Sequence, residues 1–137
     1  MRQSAAVTRR GLPAGIVLAA TLLLAATGCG GQKPYTLAKT RACLSQEPGV
    51  RIEGKVDFVA STALGGALVA RVRPGQQVTI AFGLDDDEAE RVARAYRRFR
   101  GRNIGIDDVL RPDRNAVLLW KAHPTIGDEA TVNGCLS

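Results

Sequence analysis

Histidine is almost absent from this chain: His123 is the only one in 137 residues. It stands beside Pro124 with no second ligand at metal-binding spacing, so no metal site is expected around it. Serine is scarce as well. Beyond residue 28 only Ser45, Ser61 and Ser137 remain, and there is no Gly-x-Ser-x-Gly elbow, phosphate loop or His-Glu-x-x-His pair. The acidic run Asp85 to Asp87 lacks the alternating ligand spacing of a calcium loop and reads as a helix start. The expectation is a protein with no catalytic residues, no metal and no cofactor. Two other classes stay open. His123 with a carboxylate such as Asp107 or Asp113 would make a small hydrolase. A small-molecule-binding domain would need a deep apolar pocket between sheet and helices.

Negative charge is missing from the amino-terminal segment. Arg2, Arg9 and Arg10 precede a run of about fifteen residues, LPAGIVLAATLLLAA at 12–26, that is too short for a comfortable membrane span but suits the apolar region of an export signal. Small residues follow, then Cys29, then an abrupt change to Gly-Gly-Gln-Lys-Pro. Residues Ala26-Thr27-Gly28-Cys29 resemble the lipobox of bacterial lipoproteins, with Ala26 where that family most often has Leu. The resemblance implies a diacylglycerol on the Cys29 thiol, cleavage just before it, and an address on the extracytoplasmic face of the cell membrane. Two other readings compete: ordinary secretory cleavage near Gly28 that leaves Cys29 a free thiol, and an uncleaved amino-terminal helix. Thr8-Arg9-Arg10-Gly11-Leu12 also resembles a twin-arginine export signal, and the export route stays open.

The chain therefore divides into a signal at 1–28, a lipidated cysteine with a short tether at 29–35, and one domain at 36–137. Without its signal the chain holds sixteen Lys and Arg against thirteen Asp and Glu, a net charge of +3 rather than +6. That, with the address, argues against nucleic acid as a partner. Residues 30–35, GGQKPY, read as a flexible tether that spans at most about 20 Å, which would hold the domain close to the bilayer.

Thr36 is placed to cap a helix through LAKTRACLSQE, ended by Pro48-Gly49. Val50 and Ile52 alternate with Arg51 and Glu53, the period of a strand. Residues 57–66 show no clean period and read as a loop with one helical turn. Leu68 to Arg73, Pro74-Gly75 and Gln77 to Phe82 spell a hairpin with one buried and one mostly polar face. Asp85 and Glu88 make a capping-box-like start to a helix whose stripe is Ala89, Val92, Tyr96 and Phe99. Acidic residues crowd its start and arginines its end, each favourable against the helix dipole, and Gly101 would terminate it. Residues 103–115 read as turns around a short apolar set, in which Asp107 would cap one turn. Ala116 to Trp120 reads as a strand buried on both faces, and Asp128 to Leu136 as a closing helix. The expected class is α+β in the order α-β-β-β-α-β-α, a small antiparallel or mixed sheet with helices packed on one face.

Three cysteines cannot all pair internally. With Cys29 assigned to lipid, Cys43 in the first helix and Cys135 in the last remain as an even pair, and an oxidising location favours a bridge between them. Arg97, Arg98, Arg100 and Arg102 form the strongest cationic group and are the candidate site for anionic lipid head groups or an anionic wall polymer. Arg91 and Arg94 differ in having carboxylates, Asp87 and Glu90, one helical turn before them.

The segments TLAKTRACL, VDFVASTALGGAL, AYRRFR, NIGIDDVL and NAVLLWKAHPT, with the closing Cys135, are similar to small secreted or lipid-anchored proteins of Actinobacteria. The resemblance implies an envelope protein and a disulfide, and carries over no catalytic residue. Taken together, the expected role is a membrane-anchored envelope lipoprotein that binds an envelope protein or an anionic polymer.

Overall fold

A computed structural model describes residues 31–100 and 105–137, without the side chain of Arg100. The signal at 1–28, the lipidation candidate Cys29, the helix terminator Gly101 and Arg102 lie outside the described residues.

Helix α1, Leu37–Leu44, starts where its cap requires. Thr36 has extended backbone, and its hydroxyl accepts from the Lys39 amide at 3.4 Å. At the far end the Ser45 hydroxyl donates to the Arg41 carbonyl at 2.7 Å. Strand β1, Arg51–Glu53, follows. In the stretch read as a loop, Asp57 caps a 3-10 turn at Ala60–Thr62 by accepting from the Ala60 amide at 3.0 Å. Strands β2, Ala67–Arg73, and β3, Gln76–Phe82, form the expected hairpin. Gly75 sits in its turn at φ +81°, a conformation that costs glycine least.

Helix α2 spans Asp86–Arg100, with the Glu88 amide donating to Asp85 Oδ1 at 2.8 Å. The other half of the expected capping box is not made. The Glu88 carboxylate is buried and accepts instead from the amides of Leu84, at 2.8 Å, and Leu64, at 2.7 Å. Residues read as turns contain the short helix α3, Ile106–Val109, and a fourth strand, β4, Leu110–Asp113. Pro112 obscured that strand; it is tolerated because β4 lies at the sheet edge. Strand β5 is Ala116–Trp120. Helix α4, Ile126–Asn133, begins earlier than Asp128: Thr125 is its cap, in a reciprocal box with Asp128.

The five strands run in the order β1-β2-β3-β5-β4, every pair antiparallel. The α+β class and the antiparallel sheet are as expected, with one more strand. The layering differs, because helices cover both faces. Leu68, Ile80, Phe82, Leu118 and Trp120 pack with Leu44 of α1 and Val132 of α4 in one core. Ala81, Val117, Leu119 and Leu110 pack with Val92 and Tyr96 of α2 and Ala60 of the 3-10 turn in a second. The hairpin face expected to stay polar is therefore covered where it carries Thr79 and Ala81.

The register slips between Arg71 and Arg73, leaving Val72 as an extra residue in β2. Unbroken alternation would put Arg73 on the face of Arg71. The bulge turns it to the opposite side, where its guanidinium donates to both carboxylate oxygens of Asp128 at 2.9 and 3.0 Å. Asp128 is buried, Arg73 half exposed. Hydrogen bonding from Arg73, aided by the Thr125 amide against the opposing cost of burial, lowers the Asp128 pKa to about 2. A carboxylate depressed on folding stabilises above its ordinary range and loses that contribution as pH falls. Asp128→Ala is expected to cost about 2 kcal/mol at neutral pH, from the lost cap and ion pair. The deficit should shrink as pH falls from about 4 towards about 2. Urea unfolding of both proteins across that range reads it, and a pH-independent difference would show that the ion pair contributes nothing.

Candidate functional site

The entering chain is held more firmly than a tether need be. Tyr35 exchanges hydrogen bonds with the buried side chain of Asn115: its amide donates to Oδ1 at 2.7 Å, and its carbonyl accepts from Nδ2 at 2.9 Å. The same Nδ2 donates to the Gly83 carbonyl at 2.8 Å. Gly83 also fits the tight entry into α2: a Cβ there would lie 2.7 Å from the Asp85 carbonyl oxygen and 2.9 Å from the Ala89 amide nitrogen. The Tyr35 hydroxyl donates to Asp113 at 3.1 Å. Arg114 lies between, at the tip of the β4–β5 hairpin, in left-handed backbone at φ 54°. That conformation is uncommon for a residue with a side chain. It carries the guanidinium over the Tyr35 ring, 4.2 Å from the centroid, where it also donates to the Lys33 carbonyl. The Thr36 amide donates to the Ser137 carbonyl at 2.8 Å, so both ends of the domain meet here. The order of the domain thus begins upstream of Thr36, and a cleft of about 550 Å³ opens where the chain enters, between Gln32, Leu84, Asp85 to Asp87 and Arg114.

A second feature runs along α2. The segment 57–64 lies antiparallel to the helix and is pinned at three places. Asp57 accepts from the Tyr96 hydroxyl at 2.9 Å; Thr62 lines a groove with Arg91, Val92 and Ala95; the Leu64 amide reaches Glu88. Large apolar side chains stand out of this surface at both ends. Phe58 and Phe99 meet edge to face, ring centroids 6.3 Å apart, yet are 73% and 66% exposed. Leu64 and Leu84, brought together by the Glu88 carboxylate, are 67% and 63% exposed. Phe99, the last position of the apolar stripe expected on α2, stands in solvent and belongs to neither core.

Neither carboxylate proposed for catalysis is bonded to His123. The His123 ring is exposed and forms no hydrogen bond or ion pair among the described residues; its carbonyl accepts from Gln76 at 3.4 Å. Asp107 pairs with Arg97 at 3.1 Å and Asp113 with Tyr35. The cationic group is also divided. Arg97 is neutralised by Asp107, a partner ten residues away that helical spacing does not reveal. Arg94 pairs with Glu90 at 2.8 Å as expected. Arg91 and Arg98 are exposed and form no ion pair among the described residues. Cys43 and Cys135 are bridged, Cα atoms 5.3 Å apart. Glu47 comes near both sulfurs, but sulfurs committed to each other are not thiolate ligands. Among the described residues no helix is long and apolar enough to cross a membrane.

Sequence reasoning missed Asn115, Gln76 and Arg114, and the amides that the Glu88 carboxylate holds. The only local signal was Asp-Arg-Asn between two apolar segments, a turn composition. Comparison with family models, curated proteins and solved structures gives no match.

Asn115→Ala leaves the Tyr35 amide and carbonyl and the Gly83 carbonyl without this partner. It is expected to cost about 2–3 kcal/mol and to raise hydrogen exchange at Tyr35 and Thr36 selectively. Exchange rates unchanged at those amides would show that the entering chain is held by something else.

Proposed function

We propose that this protein is a cell-envelope lipoprotein, exported by residues 1–28 and anchored at the outer face of the cell membrane by a diacylglycerol on Cys29. Its domain serves there as a non-enzymatic binding module for another envelope component, a protein or an anionic polymer. The observation that carries this reading is the Cys43–Cys135 bridge. Structural disulfides belong to oxidising compartments, and this one uses the two cysteines that a lipidated Cys29 leaves over. The clamp on Tyr35 adds support. Only four residues, Cys29 to Gln32, then separate the anchor from the clamp, at most about 14 Å of chain, which would hold the domain against the bilayer. The non-enzymatic part is supported by the bonding at the site: His123 makes no hydrogen bond to either carboxylate proposed to assist it, and those carboxylates are bonded to Arg97 and Tyr35.

Intact mass of the protein extracted from native membranes tests the anchor and the bridge together. A chain beginning at Cys29, carrying a diacylglycerol and gaining two hydrogens on reduction, is expected. Cys29→Ser should release the protein from the membrane fraction. A soluble, unlipidated chain with a free Cys29 thiol overturns the reading.

A further inference from the structure

We infer that the surface formed by segment 58–64 and α2 is a bilayer-contacting face, which seats Phe58, Phe99 and Leu64 in the interfacial region and pairs Arg91 and Arg98 with anionic lipid head groups.

Three observations converge on this face. The first is where the exposed apolar side chains lie. Four of the five large hydrophobic residues that stand in solvent among the described residues are Phe58, Leu64, Leu84 and Phe99. Phe58 and Phe99 meet towards one end of α2, and the Glu88 carboxylate, which lines a groove with Thr62, Arg91, Val92 and Ala95, holds the amides of Leu64 and Leu84 towards the other. Between those ends α2 advances eleven residues, about 16 Å. Aromatic and leucine side chains around a shallow groove suit the headgroup–acyl boundary, which accepts apolar side chains a few ångströms deep.

The second is charge. Arg91, Ala95 and Arg98 succeed one another at spacings of four and three, so they share one strip of the helix, the strip beside the groove. The neighbouring strip carries Asp87, Glu90, Arg94 and Arg97, in which Arg94 and Arg97 are paired to carboxylates. The groove strip thus offers two cations free of ion pairs next to two exposed rings. That is the pattern of an anionic membrane surface, where each Lys or Arg adds its own attraction and a long side chain can bury its stem while its head stays wet.

The third is position. Leu84 lines the same cleft as Gly31 and Gln32, where the described chain begins. Cys29 is two residues further back and the apolar run 12–26 only three residues before that. Whether the chain is held by lipid on Cys29 or by an uncleaved apolar segment, the membrane is within a few residues of one end of this face. The cost is at that same end, where Asp85 to Asp87 line the cleft. Their repulsion from anionic lipid favours contact led by the Phe58–Phe99 end, where the helix charge is basic.

The inference rests on the anchoring proposed above, and one reconstitution separates the two. Full-length protein carrying Phe99→Trp is placed in phosphatidylcholine vesicles with and without phosphatidylglycerol, using lipids brominated high on the acyl chain. Co-flotation with phosphatidylcholine alone reads the anchor; bromine quenching of the introduced indole, after subtraction of the wild-type signal from buried Trp120, reads the face. Quenching that requires phosphatidylglycerol is expected, and adding Arg91→Glu with Arg98→Glu should reduce the docked fraction about tenfold. An intact disulfide and unchanged far-ultraviolet dichroism in each variant exclude misfolding as the cause. Protein that floats without quenching overturns the face and leaves the anchor standing. Protein that floats and is quenched only when phosphatidylglycerol is present keeps the face and removes the anchor. Protein that does neither overturns both. An unquenched face that native membranes, but not lipid vesicles, protect from hydrogen exchange would assign the surface to a protein partner instead.

Discussion

Strand β5 is apolar in both directions. Val117 and Leu119 point to one side, Leu118 and Trp120 to the other, and all four are buried. A sheet with such a strand beside β3 cannot leave either face to water, because each buried side chain of this size contributes about 1.5–3 kcal/mol only when it is covered. Two helical layers follow. One side takes the amphipathic α2, long enough to cover β3, β5 and β4. The other takes α1 and α4, each of eight residues. Helices that short are marginal on their own. Helix α1 buries only Thr40 and Leu44, which is a weak apolar face. The Cys43–Cys135 bridge ties it to the chain just beyond α4 and closes a loop of 92 residues. In the chain-entropy account a crosslink of that span stabilises by roughly 4–5 kcal/mol, a large share of the total for a domain of this size. The bridge therefore supplies for the α1/α4 layer the stability that α2 draws from its own stripe.

A second set of contacts closes the gaps between layers. Glu88, Gln76, Asn115 and Asp128 are all buried, and each serves as a partner for main-chain groups of a distant or incoming segment. Glu88 receives the amides of Leu64 and Leu84; Gln76 joins the chain at Ala122 in both directions; Asn115 joins Tyr35 and Gly83; Asp128 receives the Thr125 amide and the Arg73 guanidinium. Loops that cannot pair in the sheet still have amides and carbonyls to satisfy. In this fold side chains of the neighbouring elements satisfy them.

This division explains what the sequence disclosed. Elements with a period and a cap were legible: Thr36 before α1, the Pro74-Gly75 hairpin, Asp85 before α2. The bridge was legible by counting. The second helical layer was implied by Ala116 to Trp120 being apolar throughout, but one-sided packing is the simpler inference from a hairpin whose second face holds Gln77 and Thr79. Strand β4 was hidden by Pro112 and by its shortness. The buried polar partners were illegible, because a carboxylate three residues after a cap predicts a bond to the cap, and nothing local says that Glu88 will find Leu64 at 24 residues' distance. The ion pairing of the arginines was illegible for the same reason: Arg97 has its carboxylate on another element, whereas Arg91, with Asp87 in the favoured spacing, does not use it.

The same long-range pairing decides which arginines of α2 are left without an ion pair among the described residues. Charges were segregated along the helix in sequence, acids first and arginines last, which suits the dipole and by itself suggests a uniform basic end. Folding divides them around the helix as well. Asp107 and Glu90 neutralise Arg97 and Arg94 on the outer strip, and Arg91 and Arg98 stay unpaired on the strip beside segment 58–64. That segment is fixed by Asp57 on the Tyr96 hydroxyl and by Leu64 on Glu88, the first bond made to a side chain of the second core and the second to a buried carboxylate in the first turn of α2. The packing of that core therefore sets the exposure of Phe58 and Leu64. An apolar, basic strip built by the core, next to the point where the chain emerges from a clamp on Tyr35, follows from how this domain closes its second face rather than from any local run of residues.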